Sequence, residues 1–308
     1  MPWSMYVFFA MSIIAIPLYL LIFICLCGLR THSKIYNSTF YTLFMQHCIA
    51  DFLAILTYYF VNPIRQIPAV QKFYFEYQKY YIAAACFNTI YVCFIIRCCG
   101  IILLSLQRFV IIVFPTSHIS LAIQNASKLK VILVFWLIPL PLSIFILKDA
   151  DFYYDSLETM QIIAPLQITN RNSIIALSIV SLACAICSMC HLSIYIAIRQ
   201  KVVSKRLRRE LNLTLQIVAL HLAFFVMMVF YGLVNHFGRT GNSSARFYIR
   251  TIYPIANGFL SYLNPFCVLL LNRDLGERVK CLITRRTIRT SDIQLSMTTQ
   301  STKLRNHQ

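Results

Sequence analysis

Asp51 and Arg97 stand where ionisable residues are costly, each deep inside a long apolar run. A charge at the centre of a membrane span is expensive enough that it pairs with another charge or lines a polar cavity. Asp51 falls about 11 residues from the inner end of its run and Arg97 about 11 before Arg108, so at about 1.5 Å per helical residue both lie roughly 17 Å from the same face of the apolar layer. Equal depth predicts a salt bridge between two helices. A second pairing is expected at the inner face, where Arg108 closes the third run. Glu210, at the start of the sixth run, is then the nearest partner for a guanidinium that can bind a carboxylate or the last carbonyls of a docked helix. Such a pair would hold at rest and open when the sixth helix moves outward.

Other spacings speak for packing rather than chemistry. Cys184, Cys187, Cys190 and His191 imitate a metal-ligand run, but their neighbours are Ala, Ile, Ser and Met within an apolar segment, where cysteine behaves as a small hydrophobe. No glycine-rich phosphate loop, paired carboxylates or nucleophile motif occurs. The expectation is a protein that is not an enzyme and uses no cofactor or metal. A single intramembrane carboxylate argues against the acid chains of proton-coupled transport, and no internal repeat of the transporter kind is evident.

The elements that position these residues follow from composition. Of 308 residues, 59% are hydrophobic and 12% charged, against about 25% charged in a soluble domain. A membrane helix needs about 20 mostly apolar residues, and seven stretches qualify: Met5–Leu29, Phe40–Val61, Tyr81–Leu106, Leu129–Leu147, Ser173–Ile198, Leu211–Asn235 and Tyr248–Leu271. The first is too long for a cleaved signal and lacks its positive flank, so it is read as retained. All cysteines but Cys281 fall inside these runs, which removes a disulfide-scaffold reading. The net charge of +18 raises nucleic-acid binding as a class, but the basic residues gather beside apolar spans and read as a topology signal. No nucleic-acid partner is expected.

Placing the N-terminus outside puts Arg30, Lys34, Arg108, Lys128, Lys130, the run 199–209 and the basic tail on the inner side, as the positive-inside bias requires. Asp149, Asp151, Asp155 and Glu158 then cluster in the second outer loop. Sequons occur at Asn37, Asn125, Asn212 and Asn242, of which this topology leaves only Asn242 on the glycosylated side. The run 199–209 is suited to anionic membrane lipids, at about 1 kcal/mol per basic residue. Cys281, among Arg278, Lys280 and Arg285, is a palmitoylation candidate.

Several motifs at the ends of these spans resemble rhodopsin-like receptors. Ser105-Leu106-Gln107-Arg108-Phe109, with Pro115 seven residues after the arginine, resembles their Asp-Arg-Tyr segment. Ala50-Asp51 resembles the second-span aspartate motif, and Asn264-Pro265 with Asn272-Arg273-Asp274-Leu275 resembles the Asn-Pro-x-x-Tyr motif and the eighth helix. Over nearly the whole chain the sequence is similar to a nematode serpentine chemoreceptor of the Srv class. The similarity is carried by Ser38-Thr39-Phe40-Tyr41, Gln46-His47-Cys48-Ile49-Ala50-Asp51, Phe73-Tyr74-Phe75-Glu76-Tyr77-Gln78, Ala83-Ala84-Ala85-Cys86, Ala126-Ser127-Lys128-Leu129-Lys130 and Ile252-Tyr253-Pro254-Ile255-Ala256-Asn257-Gly258. The resemblance implies a plasma-membrane receptor of sensory cilia, with a heterotrimeric G protein and a small-molecule or peptide ligand as partners. It implies Arg108, Pro115, Glu210, Asn264 and Pro265 as the coupling and switch positions. Departures are Gln107 for the acid, Val268 for the tyrosine of the seventh-span motif, a sixth span without its Trp and Pro, and a second outer loop with no cysteine to bridge to Cys86.

The expected fold is an all-α membrane protein, a seven-transmembrane helix bundle with a short amphipathic eighth helix over residues 1–283. Residues 284–308 read as a flexible basic cytoplasmic tail. Ligand pockets between helices are apolar with a few placed polar groups, and the outer halves of the third, sixth and seventh spans offer Asn88, Tyr91, Phe94, Tyr231, Asn235, Tyr253 and Asn257. By register with the receptor motif, Ile90 stands where amine receptors carry an aspartate, so a cationic amine ligand is not expected. An odorant, a glycolipid-like pheromone or a peptide remains open, with the acidic second outer loop favouring a cationic portion. A ligand-gated channel or small-molecule transporter is the alternative class.

Overall fold

The computed structural model describes residues 3–32, 36–158, 160–199 and 205–283; the side chains of 32, 205–211, 243, 246, 247, 273, 274 and 281–283 lie outside the description, as does the tail of 284–308. Seven spans are long and apolar enough to cross a membrane. They are α1 (Trp3–His32), α2 (Thr39–Val61), α4 (Ile82–Val113), the pair α6 (Lys128–Leu137) and α7 (Pro139–Leu147), α8 (Leu166–Arg199), α9 (Lys205–Arg239) and α10 (Ser243–Leu271). Between them lie α3 (Pro68–Glu76) in the connection from α2 to α4, α5 (His118–Gln124) in the connection from α4 to α6 and α11 (Arg273–Ile283) after the last span.

The ends of these helices follow local chemistry. Ser117 and Ser127 cap α5 and α6, their hydroxyls accepting from Ser120 N and Lys130 N, which satisfies amides that have no partner in the first turn. The fourth span breaks at Ile138 because Pro139 brings no N–H to continue the ladder. The third runs on to Val113 and stops at Phe114, whose backbone leaves the helical region ahead of Pro115.

That extension corrects one expectation. Arg108 does not close the third helix; α4 continues for more than a turn beyond it, because residues 109–113 are apolar and unbroken until the proline. The fifth and sixth spans also start earlier than their apolar runs suggest, since helix propagates through polar residues once a packed segment has nucleated it. Helix thus includes Lys205 onward in the basic connection.

A second addition lies outside the spans. Tyr153 and Tyr154 pair antiparallel with Ile162 and Ile163, opposite Ile163 and Ile162 respectively, forming the one small sheet among the described residues. α4 is the central column, packed against α2, α7, α8 and α9, while α10 closes the ring between α1 and α9. Its residues Cys98, Ile101 and Leu104 are fully buried. Facing outward are Ile13, Leu129, Leu222 and Leu270, large apolar side chains exposed in a band that water would not tolerate and lipid tails would.

Candidate functional site

At mid-depth four spans meet around one carboxylate. Asp51 and Arg97 are each 1% exposed, and Arg97 Nε lies 2.8 Å from Asp51 Oδ1. The N–H does not point straight at that oxygen, so the contact is a touching ion pair more than a directed hydrogen bond. The rest of the guanidinium turns to α10, with Nη2 donating to Ser261 Oγ at 3.2 Å and Nη1 to Asn257 Oδ1 at 3.4 Å. The other carboxylate oxygen accepts from Tyr19 Oη at 2.8 Å and from Asn264 Nδ2 at 3.4 Å, and Asn264 also donates to Tyr19 at 3.1 Å. His47 Nε2, one helical turn before Asp51, sits 3.9 Å away. A knot of α1, α2, α4 and α10 thus answers two buried charges.

The backbone lets these helices come close. At Gly100, one turn beyond Arg97, an added Cβ would fall 2.6 Å from His47 Nδ1 and 3.0 Å from Phe135. Glycine there removes the side chain that would hold α2 and α6 away from α4.

Directly outside the knot lies a small cavity of about 10 Å³, the scale of a single water. Arg97, Asn257, Tyr253, Phe94, Tyr58 and Thr57 line it, with Ile90, Cys93 and Ala54 completing the wall. Arg97 therefore faces the cavity and Asp51 at once. Of the residues singled out as ligand-binding, Phe94, Tyr253 and Asn257 reach the cavity. Tyr91 and Tyr231 stand behind them in an aromatic layer, Tyr231 5.1 Å from Phe94 and 6.4 Å from Tyr91 by ring centroids, and Phe230 joins that layer to Tyr253 at 5.4 Å. Asn88 is engaged elsewhere, donating to Asp149 O at 2.9 Å. Asn235 is half-buried one turn further out and does not line the cavity.

A cap covers the end of the bundle that carries the α2–α4 and α7–α8 connections. Tyr154 N donates to Gln78 Oε1 at 2.9 Å, Asn88 holds Asp149, and Arg171 pairs with the Asp149 carboxylate. These ties hold the second outer loop without a disulfide; every described cysteine is free. Asp155 is spent on the hairpin itself, its Oδ1 accepting from Ser156 N and Gln161 N. Burial pushes the Tyr154 phenol up, with Arg65 opposing, so its hydroxyl keeps its proton.

At the inner end Arg108 is buried over the ring of Phe40, its guanidinium carbon 3.6 Å from the centroid, a cation–π stack. The side chain of Glu210 lies outside the described residues, and so does that of Cys281. Pro115 is an exposed helix terminator. Asn242 is exposed and caps α10, its Oδ1 accepting from Ala245 N. Cys187 Sγ lies 3.2 Å from Ser105 Oγ, and His191 packs against His221 with ring centroids 5.5 Å apart. No three His, Cys, Asp or Glu side chains converge as metal ligands among the described residues. A larger lipid-facing groove of about 240 Å³ lies between α2, α4 and α6 at the inner end, lined by Leu43, Leu106 and Val131 among others.

Sequence reasoning missed Tyr19, His47, Ser261, Tyr58 and Arg65. His47 carried a signal, being one turn from Asp51 on the same helical face. Tyr19 carried a weaker one, a polar tip at the middle of an apolar run. Ser261 and Tyr58 acquire meaning only when helices distant in sequence pack together.

No curated protein matches the chain. Among protein families, residues 8–285 match the serpentine type 7TM GPCR chemoreceptor Srv.

Proposed function

The chain belongs to the Srv family of serpentine seven-transmembrane chemoreceptors, and from that premise we propose that it binds an extracellular chemical cue and activates a heterotrimeric G protein. The observation that carries this reading is the double engagement of Arg97, which lines the outer cavity and touches Asp51. A ligand that enters beside Tyr253 and Asn257 competes for the guanidinium's donors. Moving Arg97 by even an ångström changes a contact made at 2.8 Å, and through Asp51 and Asn264 it reaches both α1 and α10. Pro254 and Pro265 interrupt the hydrogen-bond ladder of α10, so that helix has places at which to bend.

The N-terminus faces outward in this proposal, with Asn242 glycosylated and the basic connection before α9 in the cytosol. Arg108 leaves Phe40 or Glu210 as α9 swings out, and the space opened admits the G protein. Cys281 palmitoylation would anchor α11, and the site of action is the plasma membrane, in sensory cilia. The test is guanine-nucleotide exchange on a G protein in membranes carrying the chain, screened with a broad chemical set. Exchange that depends on both chain and compound supports the proposal; compound-evoked current that survives removal of every G protein would assign the chain to a channel instead.

A further inference from the structure

The second outer loop is acidic, but two of its four carboxylates are already engaged. Asp149 is paired with Arg171, and Asp155 is consumed by its own turn. A positive charge lies close to the cavity wall, beside Tyr58. Arg65, on the turn Ile64–Gln66 that follows α2, has its Nε and Nη1 buried with no hydrogen-bond partner, and no described carboxylate lies within 4.0 Å of it. Its electrostatic neighbours are Tyr154, Cys86 and Tyr58. The buried Tyr154 hydroxyl lies beside both the Arg65 guanidinium and the Cys86 thiol, without a hydrogen bond of ordinary length and direction to either. Tyr58 in turn lines the cavity above Arg97.

Two guanidinium N–H groups without a well-formed acceptor, beside a phenol and with no described carboxylate in reach, describe a site able to take an anion. A guanidinium presents its N–H groups as a planar fork matched to a carboxylate, and two such groups withdrawn from water gain by acquiring that partner. We propose that Arg65 and Tyr154 form the head-group site for a carboxylate ligand whose apolar body passes Tyr58 into the space lined by Ala54, Ile90, Cys93 and Phe94. The inference rests on the receptor reading and gives it a ligand class, an organic acid. It reverses the expectation of a cationic portion drawn from the acidic loop. Arg65 Nε and Nη1 donate to the carboxylate, and the Tyr154 hydroxyl donates a third bond. The cavity is too small to hold such a body as it stands, so binding requires the tyrosines above it to part.

The test uses the full chain in lipid nanodiscs without any G protein, reading the thermal unfolding midpoint, because a ligand that binds only the folded state raises it. The probes are acetate, butyrate, octanoate and 4-phenylbutyrate, each beside its matching alcohol and amine. The expected result is that at least one of the longer acids binds roughly tenfold or more tighter than its alcohol, and that Arg65→Gln abolishes the difference. Those factors correspond to loss of a hydrogen bond to a charged group, about 10- to 100-fold. Arg65→Lys should retain part of the preference, and Tyr154→Phe should weaken acid binding by about tenfold. If Arg65→Gln does not accumulate, the Lys and Phe variants decide. The proposal is overturned if no acid stabilises the chain, if amines are preferred, or if the variants bind the series as wild type does. Because no G protein is present, a failure here is separate from a failure of nucleotide exchange.

Discussion

Arg97 is buried and Arg65 half-buried at different depths of one molecule, and they differ in what answers their charge. Arg97 has Asp51 at 2.8 Å, with Ser261 and Asn257 taking its remaining donors. Arg65 has the Tyr154 hydroxyl, a second phenol and a thiol nearby, and no carboxylate within 4.0 Å among the described residues. The fold completes the first site with its own residues and leaves the second open. A site that is fully answered fixes helix positions; one that is not has affinity to give to something else.

Breaking the completed site should have the largest effect. Asp51→Ala or Arg97→Ala leaves a buried charge alone, at about 3–5 kcal/mol, and either should sharply reduce the amount of chain at the cell surface and lower its unfolding temperature. Replacing both residues by leucine should recover most of that loss, since an apolar pair of similar volume carries no desolvation penalty. If Arg97→Ala reaches the surface as well as wild type while Asp51→Ala does not, the two residues do not act as a pair.

A smaller effect separates two glycines. Gly100→Ala forces a methyl against His47 and Phe135 and should cost about 1–3 kcal/mol as overpacking. Nothing lies within 4 Å of a Cβ at Gly28, and Gly28→Ala should be neutral or stabilise by up to about 1 kcal/mol. Unfolding midpoints of the two purified variants check this, and equal shifts would mean that the close approach of α4 to α2 is not tight.

The outer cap should respond more weakly still. Gln78→Ala removes one hydrogen bond to the hairpin, about 0.5–1.5 kcal/mol, and should speed amide exchange at residues 153–163 while leaving exchange at Asp51 unaltered. Faster exchange at both places would tie the cap to the knot and blur the contrast. Smallest is Lys72→Ala, which breaks an ion pair whose partners are 75% and 55% exposed and should leave the unfolding midpoint unchanged.

The seven spans and the depth of Asp51 and Arg97 could be read from the chain because both depend on counting along single helices. Hydropathy and a fixed rise per residue are local quantities. Tyr19, Ser261 and Arg65 could not be read in that way, since each owes its role to neighbours brought from another helix or loop. Arg108 was misplaced for a related reason: apolar content marks where lipid begins, whereas Pro115 decides where the helix stops. The acidic loop could be read as charge but not as contacts, because the internal partners of Asp149 and Asp155 come from the folded loop and from α8.

The claim on which the receptor account turns is that the cavity and the Asp51 knot communicate through Arg97. It is tested most directly by nucleotide exchange on a G protein, comparing wild type with the Asp51→Leu, Arg97→Leu double variant at matched surface amounts, using any compound that activates wild type. The account predicts a folded variant whose exchange no longer rises with the compound. A variant that responds with wild-type amplitude and midpoint would contradict it.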